Sequence, residues 1–479
     1  MNKIPVIDKS DHHLQIINQR IKSPQFKYLH TINIDKNLLL NNYKNLRFFV
    51  RTYGCQANII DSETISKLII DLGFKKADKI SEANLIILNT CAIRENAEKK
   101  VIGEIGLINK YRKNHDIKVV ICGCMSHEEK IINELIKLDN VNLIIGTHNI
   151  DKLPQDLYEI YKNDKKIIDV KNKRDTLYKI LPRDICCKYK AFVTIMEGCN
   201  NFCTYCIVPF TRGRQISRPK DDIINEIKTL INSGVKEITL IGQNVNAYGI
   251  DCDDNYFFND LLIDVAKLNV ERIRFSTSNP WNFNKNIIDT IKKYPNIMPH
   301  IHLPIQSGDE AILRKMNRKM NINDYINLIK YIRSNISDVA ITTDLIVGFP
   351  NESKKQFKNT LKFYKKIKFD NAYSFIYSKR DGTIAAKIAD TISSKEKEIR
   401  LCKLNKLVKK YAKFNNKKYV KKILDVMVEG ISKTNSNVLT GYSPQLKVVN
   451  FTGIAHPGET VKVRITKANR FSLFGEKIN

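Results

Sequence analysis

Short apolar runs recur along the chain, each leading into a polar loop and then into a stretch with helical spacing. In the N-terminal part three of these runs end in cysteine loops. Arg47-Phe48-Phe49-Val50 leads to Tyr53-Gly54-Cys55-Gln56-Ala57-Asn58, Leu85-Ile86-Ile87-Leu88 to Asn89-Thr90-Cys91, and Val119-Val120-Ile121 to Cys122-Gly123-Cys124. Helical stretches follow, for example from Asn96 to Tyr111. Strands alternating with helices predict a parallel sheet. In such a sheet the loops after the strands share one edge. Cys55, Cys91 and Cys124 are therefore expected to converge, although they are distant in sequence. One cysteine after one strand is most often a small buried hydrophobe; the same placement three times is much harder to attribute to chance. Cys122 stands one strand position off and is expected to point away from the edge.

Beyond a charged linker near 150–185, a second series of strands is expected at 191–196, 236–241, 271–276, 300–303, 339–347 and 371–377, with helical stretches between them. Six such repeats predict a partial (β/α) barrel whose chemistry sits at the C-terminal strand ends. Residues 392–422 carry Leu401, Leu404, Leu407, Val408 and Tyr411 at helical spacing and read as a packed linker helix. From about 420 the period shortens to that of strands, at Ile423–Val428, Val448–Phe451 and Val461–Ile465, which predicts a small all-β barrel. Residues 1–45 are polar, mixed in charge and without a sustained period, and are expected to be a poorly ordered extension. The fold class is α/β: a parallel-sheet domain over 46–162, a partial barrel over 185–417 and a small all-β barrel over 418–479.

The stretch Gly198-Cys199-Asn200-Asn201-Phe202-Cys203-Thr204-Tyr205-Cys206 opens the second series, directly after the apolar run Ala191–Met196. Its cysteines are spaced C-x3-C-x2-C, which gathers three soft donors on one loop. A structural zinc takes four closed ligands, usually as two separate pairs. Three thiolates would instead hold a [4Fe–4S] cube with one iron left for a small molecule. Zinc and inert thiols remain the alternatives. The set at Cys55, Cys91 and Cys124 likewise offers only three thiolates.

This spacing, with an aromatic residue before the last cysteine, resembles the radical S-adenosylmethionine (SAM) signature. The longer run from Ile195 through Cys206, with Pro209-Phe210-Thr211-Arg212-Gly213-Arg214 and Ser217-Arg218-Pro219, resembles the MiaB group of tRNA methylthiotransferases. So do Tyr53-Gly54-Cys55-Gln56 and the segment from Asn89-Thr90-Cys91 to Ile93-Arg94-Glu95, and the terminal segment resembles the TRAM domain. Two departures stand out. The family's third thiol motif, Gly-Cys followed by x-Ala-Gln, is here Gly123-Cys124-Met125-Ser126-His127. Its Arg-containing, Asn-rich stretch before Val-Val-Asn-Phe is here Gly441–Lys447.

The resemblance implies two [4Fe–4S] clusters, one on Cys199, Cys203 and Cys206 and one on Cys55, Cys91 and Cys124. It also implies SAM as co-substrate, with Tyr205 beside its adenine. The loops Ile241–Asn246, Ser276–Ser278, Leu303–Gly308 and Asp344–Pro350 would form the SAM-binding rim; singly, each is ordinary turn chemistry. The reaction implied is 2-methylthiolation of N6-isopentenyladenosine at position 37 of tRNA, in the anticodon loop. One SAM would methylate sulfur on the second cluster, and another would give the radical that attacks C2. An external electron donor is implied, while neither it nor the sulfur source has a signature in the chain. Rivals are a methylthiotransferase acting on threonylcarbamoyl-adenosine or on a ribosomal protein, and a non-enzymatic zinc-stabilised RNA-binding protein.

Composition changes this picture in one respect. Lys and Arg number 80 against 50 Asp and Glu, a formal charge of +30, which suggests a polyanionic partner. The abundance of Lys, Asn and Ile fits an AT-rich genome, yet such bias does not by itself suppress acids. Hydrophobic residues at 43% are ordinary for a globular protein. No apolar run approaches the roughly 18 residues that span a bilayer. Asp8, Asp11, His12 and His13 stand where a secretory signal needs an apolar core. A cytoplasmic monomer is expected, and its 11 cysteines argue for metal rather than disulfides. Cys186, Cys187, Cys252 and Cys402 fit no pattern.

Overall fold

The structure, a computed structural model, describes residues 27–29, 41–91, 95–112, 116–171, 176–178, 183–433 and 435–478. Most of the expected 1–45 extension lies outside the described residues; within it, β1 (Lys27–Leu29) pairs in parallel with a strand at Thr176–Tyr178.

The N-terminal sheet comprises β2 (Arg47–Thr52), β3 (Lys75–Lys76), β4 (Leu85–Thr90), β5 (Lys118–Gly123), β6 (Leu143–Ile145) and β7 (Ile167–Asp169). Its order is β3-β2-β4-β5-β6-β7, parallel throughout. Central β4 is buried along its whole length because helices cover both faces. Ile86, Leu88 and Ile121 pack with Val101, Ile105 and Ile108 of the helix Glu95–Tyr111. Leu85, Ile87, Val120 and Cys122 pack with Ile65 and Ile69 of the helix Gln56–Asp71. Cys122 is thus a core residue on the face its strand position dictates.

The stretch read as a charged linker is structured at its start. The helix Leu153–Asn163 lays Leu153, Leu157 and Ile160 on the sheet, and β7 adds the last strand beyond residue 162. Its polar face had hidden an apolar stripe with helical spacing.

Six parallel strands make the next layer: β9 (Lys190–Thr194), β12 (Glu237–Ile241), β13 (Arg272–Phe275), β14 (His300–His302), β15 (Ala340–Val347) and β16 (Asn371–Ile376), numbered with β8 at Thr176–Tyr178 and the short antiparallel pair β10 (Met196–Glu197) and β11 (Ile216–Ser217). They pair as β9-β12-β13 and β14-β15-β16, and the halves meet where Met298 N–H donates to Ile273 O at 2.9 Å. The result is an open barrel. Ile223, Ile227 and Leu230 from the helix Lys220–Asn232 pack on it, as do Leu404 and Val408 from the helix Ser394–Lys417. The lysine-rich helix is therefore a packed element.

Five strands close the C-terminal barrel in the order β17-β18-β19-β21-β20: β17 (Ile423–Ser432), β18 (Asn435–Tyr442), β19 (Val448–Thr452), β20 (Thr460–Ala468) and β21 (Ser472–Lys477). The sequence pattern missed β18 and β21. Strand β18 opens on three exposed polar residues and buries only Gly441, so no apolar alternation marks it. This barrel docks at the N-terminal ends of the larger barrel's strands. Arg272 donates to Tyr442 O at 2.9 Å and Asp425 O at 3.0 Å. Arg274 donates to Pro444 O at 2.9 Å and Ser443 O at 3.0 Å, and Lys447 pairs with Asp370 at 3.0 Å. The departure at Gly441–Lys447 is thus a docking segment.

Candidate active site

The three N-terminal thiols stand just past three parallel strands. Cys55 precedes the helix Gln56–Asp71 after β2, Cys91 follows β4, and Cys124 opens the turn Cys124–His127 after β5. A buried asparagine pair braces these ends. Asn58 donates to Asn89 Oδ1 and Thr90 O, both at 3.0 Å, and Asn89 returns a bond to Asn58 O at 2.8 Å. A hydrogen bond from Cys91 brings the Cys55 thiol down to about 5, against the effect of burial and with help from the Arg212 guanidinium. Burial pushes the Cys124 thiol up, with Arg212 opposing. At His127, the family's Gln position, Nε2 accepts from Thr147 N–H at 3.1 Å, and burial lowers the imidazole to about 4. Thr147 Oγ1 in turn donates to Thr211 O at 2.7 Å, across to the second domain.

The second thiol set lies on the loop after β9 and β10. Gly198 has φ +72°, and Asn317 holds the loop by donating to the carbonyls of Asn201 at 3.2 Å and Phe202 at 3.1 Å. Thr204 donates to Lys315 O at 2.8 Å and accepts from Ala385 N–H at 2.8 Å. The loop is thereby tied to the far half of the barrel. Cys199 accepts from Asn201 Nδ2 at 3.2 Å and Cys203 from Arg318 Nη1 at 3.5 Å. Burial raises the Cys199 and Cys206 thiols. The Tyr205 ring packs against Ile312, Met316, Phe349 and Tyr377, and burial raises its hydroxyl well above the usual range.

Both sets face one cavity of about 350 Å³. Cys55 and Cys124 line it from the N-terminal domain; Cys199, Cys203 and Cys206 line it from the barrel. Cys91 joins through its bond with Cys55. The remaining wall includes Gly242, Gln243, Thr277 and Gln306, just past the C-terminal ends of barrel strands, and Asp344 within β15. Gln243 Oε1 is buried without a hydrogen-bond partner among the described residues, as an acceptor kept for a ligand would be.

Sequence reasoning gave no role to Arg212, Asp61 or Arg318. Arg212 donates to Cys124 Sγ at 3.2 Å and forks onto Asp61, at 3.3 Å through Nη1 and 2.5 Å through Nη2. Arg318 also stacks on Trp281, 4.4 Å from the ring centroid. Each thiol set has one buried guanidinium on a sulfur. Arg212 stood in a quoted motif; Arg318 had no signal.

Three family matches account for most of the chain. The uncharacterized protein family UPF0004 matches residues 47–146, the Radical SAM superfamily 193–364 and the TRAM domain 417–478. A tRNA-2-methylthio-N(6)-dimethylallyladenosine synthase of Malacoplasma penetrans is 52% identical over 445 residues, which cover 92% of this chain and 91% of that protein. Proteins of the same name from Geobacillus kaustophilus and Bacillus subtilis are 46% and 44% identical over 90% of this chain, covering 82% and 86% of their own length. Among solved structures, the radical S-adenosylmethionine methyltransferase TsrM from Kitasatospora setae superposes with a TM-score of 0.54 at 11% identity. The match covers 71% of this chain and 77% of that one, and shows a shared fold. Identity at this level over nine-tenths of the chain, with all three regions in place, decides the matter: the chain belongs to the tRNA-2-methylthio-N(6)-dimethylallyladenosine synthase family of radical SAM enzymes.

Proposed function

We propose that this protein is a methylthiotransferase that converts N6-isopentenyladenosine at position 37 of tRNA into its 2-methylthio derivative. The observation that carries this reading is that five thiols from two domains, Cys55 and Cys124 on one side and Cys199, Cys203 and Cys206 on the other, line one cavity, with Cys91 hydrogen-bonded to Cys55 behind them. Cys199, Cys203 and Cys206 would hold one [4Fe–4S] cluster and Cys55, Cys91 and Cys124 a second. The donor chemistry fits: three soft sulfurs per site leave one iron without a protein ligand, and a buried arginine N–H meets one sulfur of each set. Once bound, these clusters and SAM supply the radical and the methylated sulfur.

The chain's own residues do the rest. Tyr205 would lie beside the SAM adenine, and Gln243 offers an acceptor in the same wall. Tight tethering of the Cys199 loop by Asn317 and Thr204 fixes the donors relative to the strand ends. Walls contributed by two domains would limit the access of water to chemistry in the cavity.

A charge of +30 and the terminal β-barrel support tRNA as the partner, with its isopentenylated anticodon loop entering the cavity. The functional units we assign are the extension 1–45, the auxiliary-cluster domain 46–162, the radical SAM core 185–417 and the RNA-binding barrel 418–479. No helix among the described residues is long and apolar enough to cross a membrane. The protein would work in the cytoplasm as a monomer with an external electron donor.

The decisive experiment is mass spectrometry of nucleosides from tRNA of cells with and without this protein. The 2-methylthio derivative should vanish and its isopentenyladenosine precursor accumulate in its absence. An unchanged nucleoside profile would refute the assignment, and loss of a methylthiolated threonylcarbamoyl-adenosine instead would favour the rival substrate.

A further inference from the structure

We propose that Arg212 is a positioning residue that grips the sulfur of Cys124 from the opposite domain and so sets the reduction potential of the cluster on the Cys55 set. This rests on the two-cluster reading above. Arg212 belongs to the barrel domain, on the segment after the Cys199 loop, yet its guanidinium is buried against the N-terminal domain, with 4% of its side chain exposed. Three donors are committed. Nη1 and Nη2 meet the two carboxylate oxygens of Asp61, and Nε meets Cys124 Sγ at 3.2 Å.

The geometry divides the work. Asp61 lies on the helix that begins directly after Cys55, so its position is tied to the same thiol set. Held at both ends of its fork, the guanidinium cannot turn about its long axis, and Nε stays aimed at the sulfur. Asp61 also offsets the buried charge, so what reaches the sulfur is mainly a directed N–H. The backbone is fixed too: Arg212 N–H donates to Val208 O at 2.8 Å, and the neighbouring Thr211 carbonyl accepts from Thr147.

A hydrogen bond to a ligand sulfur draws off charge and favours the more negative, reduced state of a cluster. Arg212 would therefore hold the N-terminal cluster at a higher potential than its sulfur ligands alone would give. Arg318 makes the corresponding contact to Cys203, so each set is addressed by a different residue. That separation supplies an internal control.

The test is a potentiometric titration of the reconstituted full-length enzyme with dithionite, followed by electron paramagnetic resonance. The signal altered by adding S-adenosylhomocysteine, which keeps the amino and carboxylate groups of SAM but has no methyl group to transfer, belongs to the Cys199 set and is termed SAM-responsive; the signal it leaves unchanged, termed SAM-indifferent, belongs to the Cys55 set. In Arg212→Gln the SAM-indifferent signal should shift to a lower midpoint while the SAM-responsive one keeps its own. Arg212→Lys, which keeps the charge but loses the fork, should shift the same signal in the same direction and by less. Should Arg212→Gln fail to retain iron, Arg212→Lys decides alone. An unchanged SAM-indifferent midpoint in an iron-replete variant would overturn the role of Arg212, as would an equal shift of both signals. A wild-type protein with one signal only would overturn the two-cluster reading itself, and this role with it.

Discussion

A Cβ built on Gly198 would stand 1.9 Å from the carbonyl oxygen of Arg214. The Cys199 loop and the strand returning to it are in backbone contact, and only glycine permits the approach, at φ +72°. Gly123 repeats the arrangement before Cys124: at φ +95°, its Cβ would lie 2.2 Å from Thr90 O. In each thiol set, a glycine immediately before a cysteine thus permits a close backbone approach.

Gly198→Ala should therefore displace the loop rather than merely strain it. The left-handed conformation costs an L-residue about 1–2 kcal/mol, and the clash adds to that. Iron analysis after anaerobic reconstitution should fall from about eight atoms per chain to about four, with the Cys55 set still loaded. Full iron content with normal SAM cleavage would show that the contact is dispensable.

The two thiol sets should fail differently. Alanine at Cys199, Cys203 or Cys206 should abolish 5′-deoxyadenosine formation together with product. Alanine at Cys55, Cys91 or Cys124 should leave SAM cleavage under a strong reductant intact while methylthio transfer drops below detection. Chromatography of 5′-deoxyadenosine and of digested tRNA from the same reactions separates the two patterns. Normal methylthio product from any N-terminal variant would end the two-cluster reading.

Removing residues 418–479 should weaken tRNA binding and flatten its dependence on salt, because phosphate contacts from Lys-rich strands are lost. Iron content should survive, since this barrel contributes no cysteine. The docking geometry adds that the truncated protein is less stable: Arg272 and Arg274 lose four carbonyl acceptors and Asp370 loses Lys447. A point variant isolates this effect. Arg274→Met strands the buried Glu237 carboxylate, 2.9 Å from Arg274 Nε, and should cost about 3–5 kcal/mol in denaturant unfolding. Wild-type affinity, salt slope and stability after truncation would contradict both claims.

Asp156 gives a pH signature. Burial, with Asp169 adding to it, raises its carboxyl to about 7 from the ordinary 3.8, and its Oδ2 is buried without a hydrogen-bond partner among the described residues. The folded state thus holds this proton more tightly than the unfolded state. Stability is fully present below pH 3.8 and is lost as pH rises through about 7. Asp156→Asn should therefore stabilise at pH 8, on the order of 1 kcal/mol after allowance for the partly wet side chain. The gain should shrink toward zero near pH 4, as thermal melts at the two pH values would show.

The sequence by itself determined where the strands and the thiols fall. Strand period and helix period alternate so regularly from Arg47 onward that a parallel sheet, and cysteines clustered along its edge, follow from local pattern. The same holds for the open barrel and for the Cys199 loop, whose three donors are neighbours in the chain. Tertiary structure alone decided that thiols of both sets line one cavity, because that depends on how two domains dock. It also decided which cations serve the sulfurs. Arg212 reaches Cys124 across 88 positions and Arg318 reaches Cys203 across 115, separations at which no periodicity links the partners. Strand β18 and the docking segment Gly441–Lys447 were hidden for a related reason: their order comes from pairing and from Arg272 and Arg274 on another domain, not from an apolar alternation of their own.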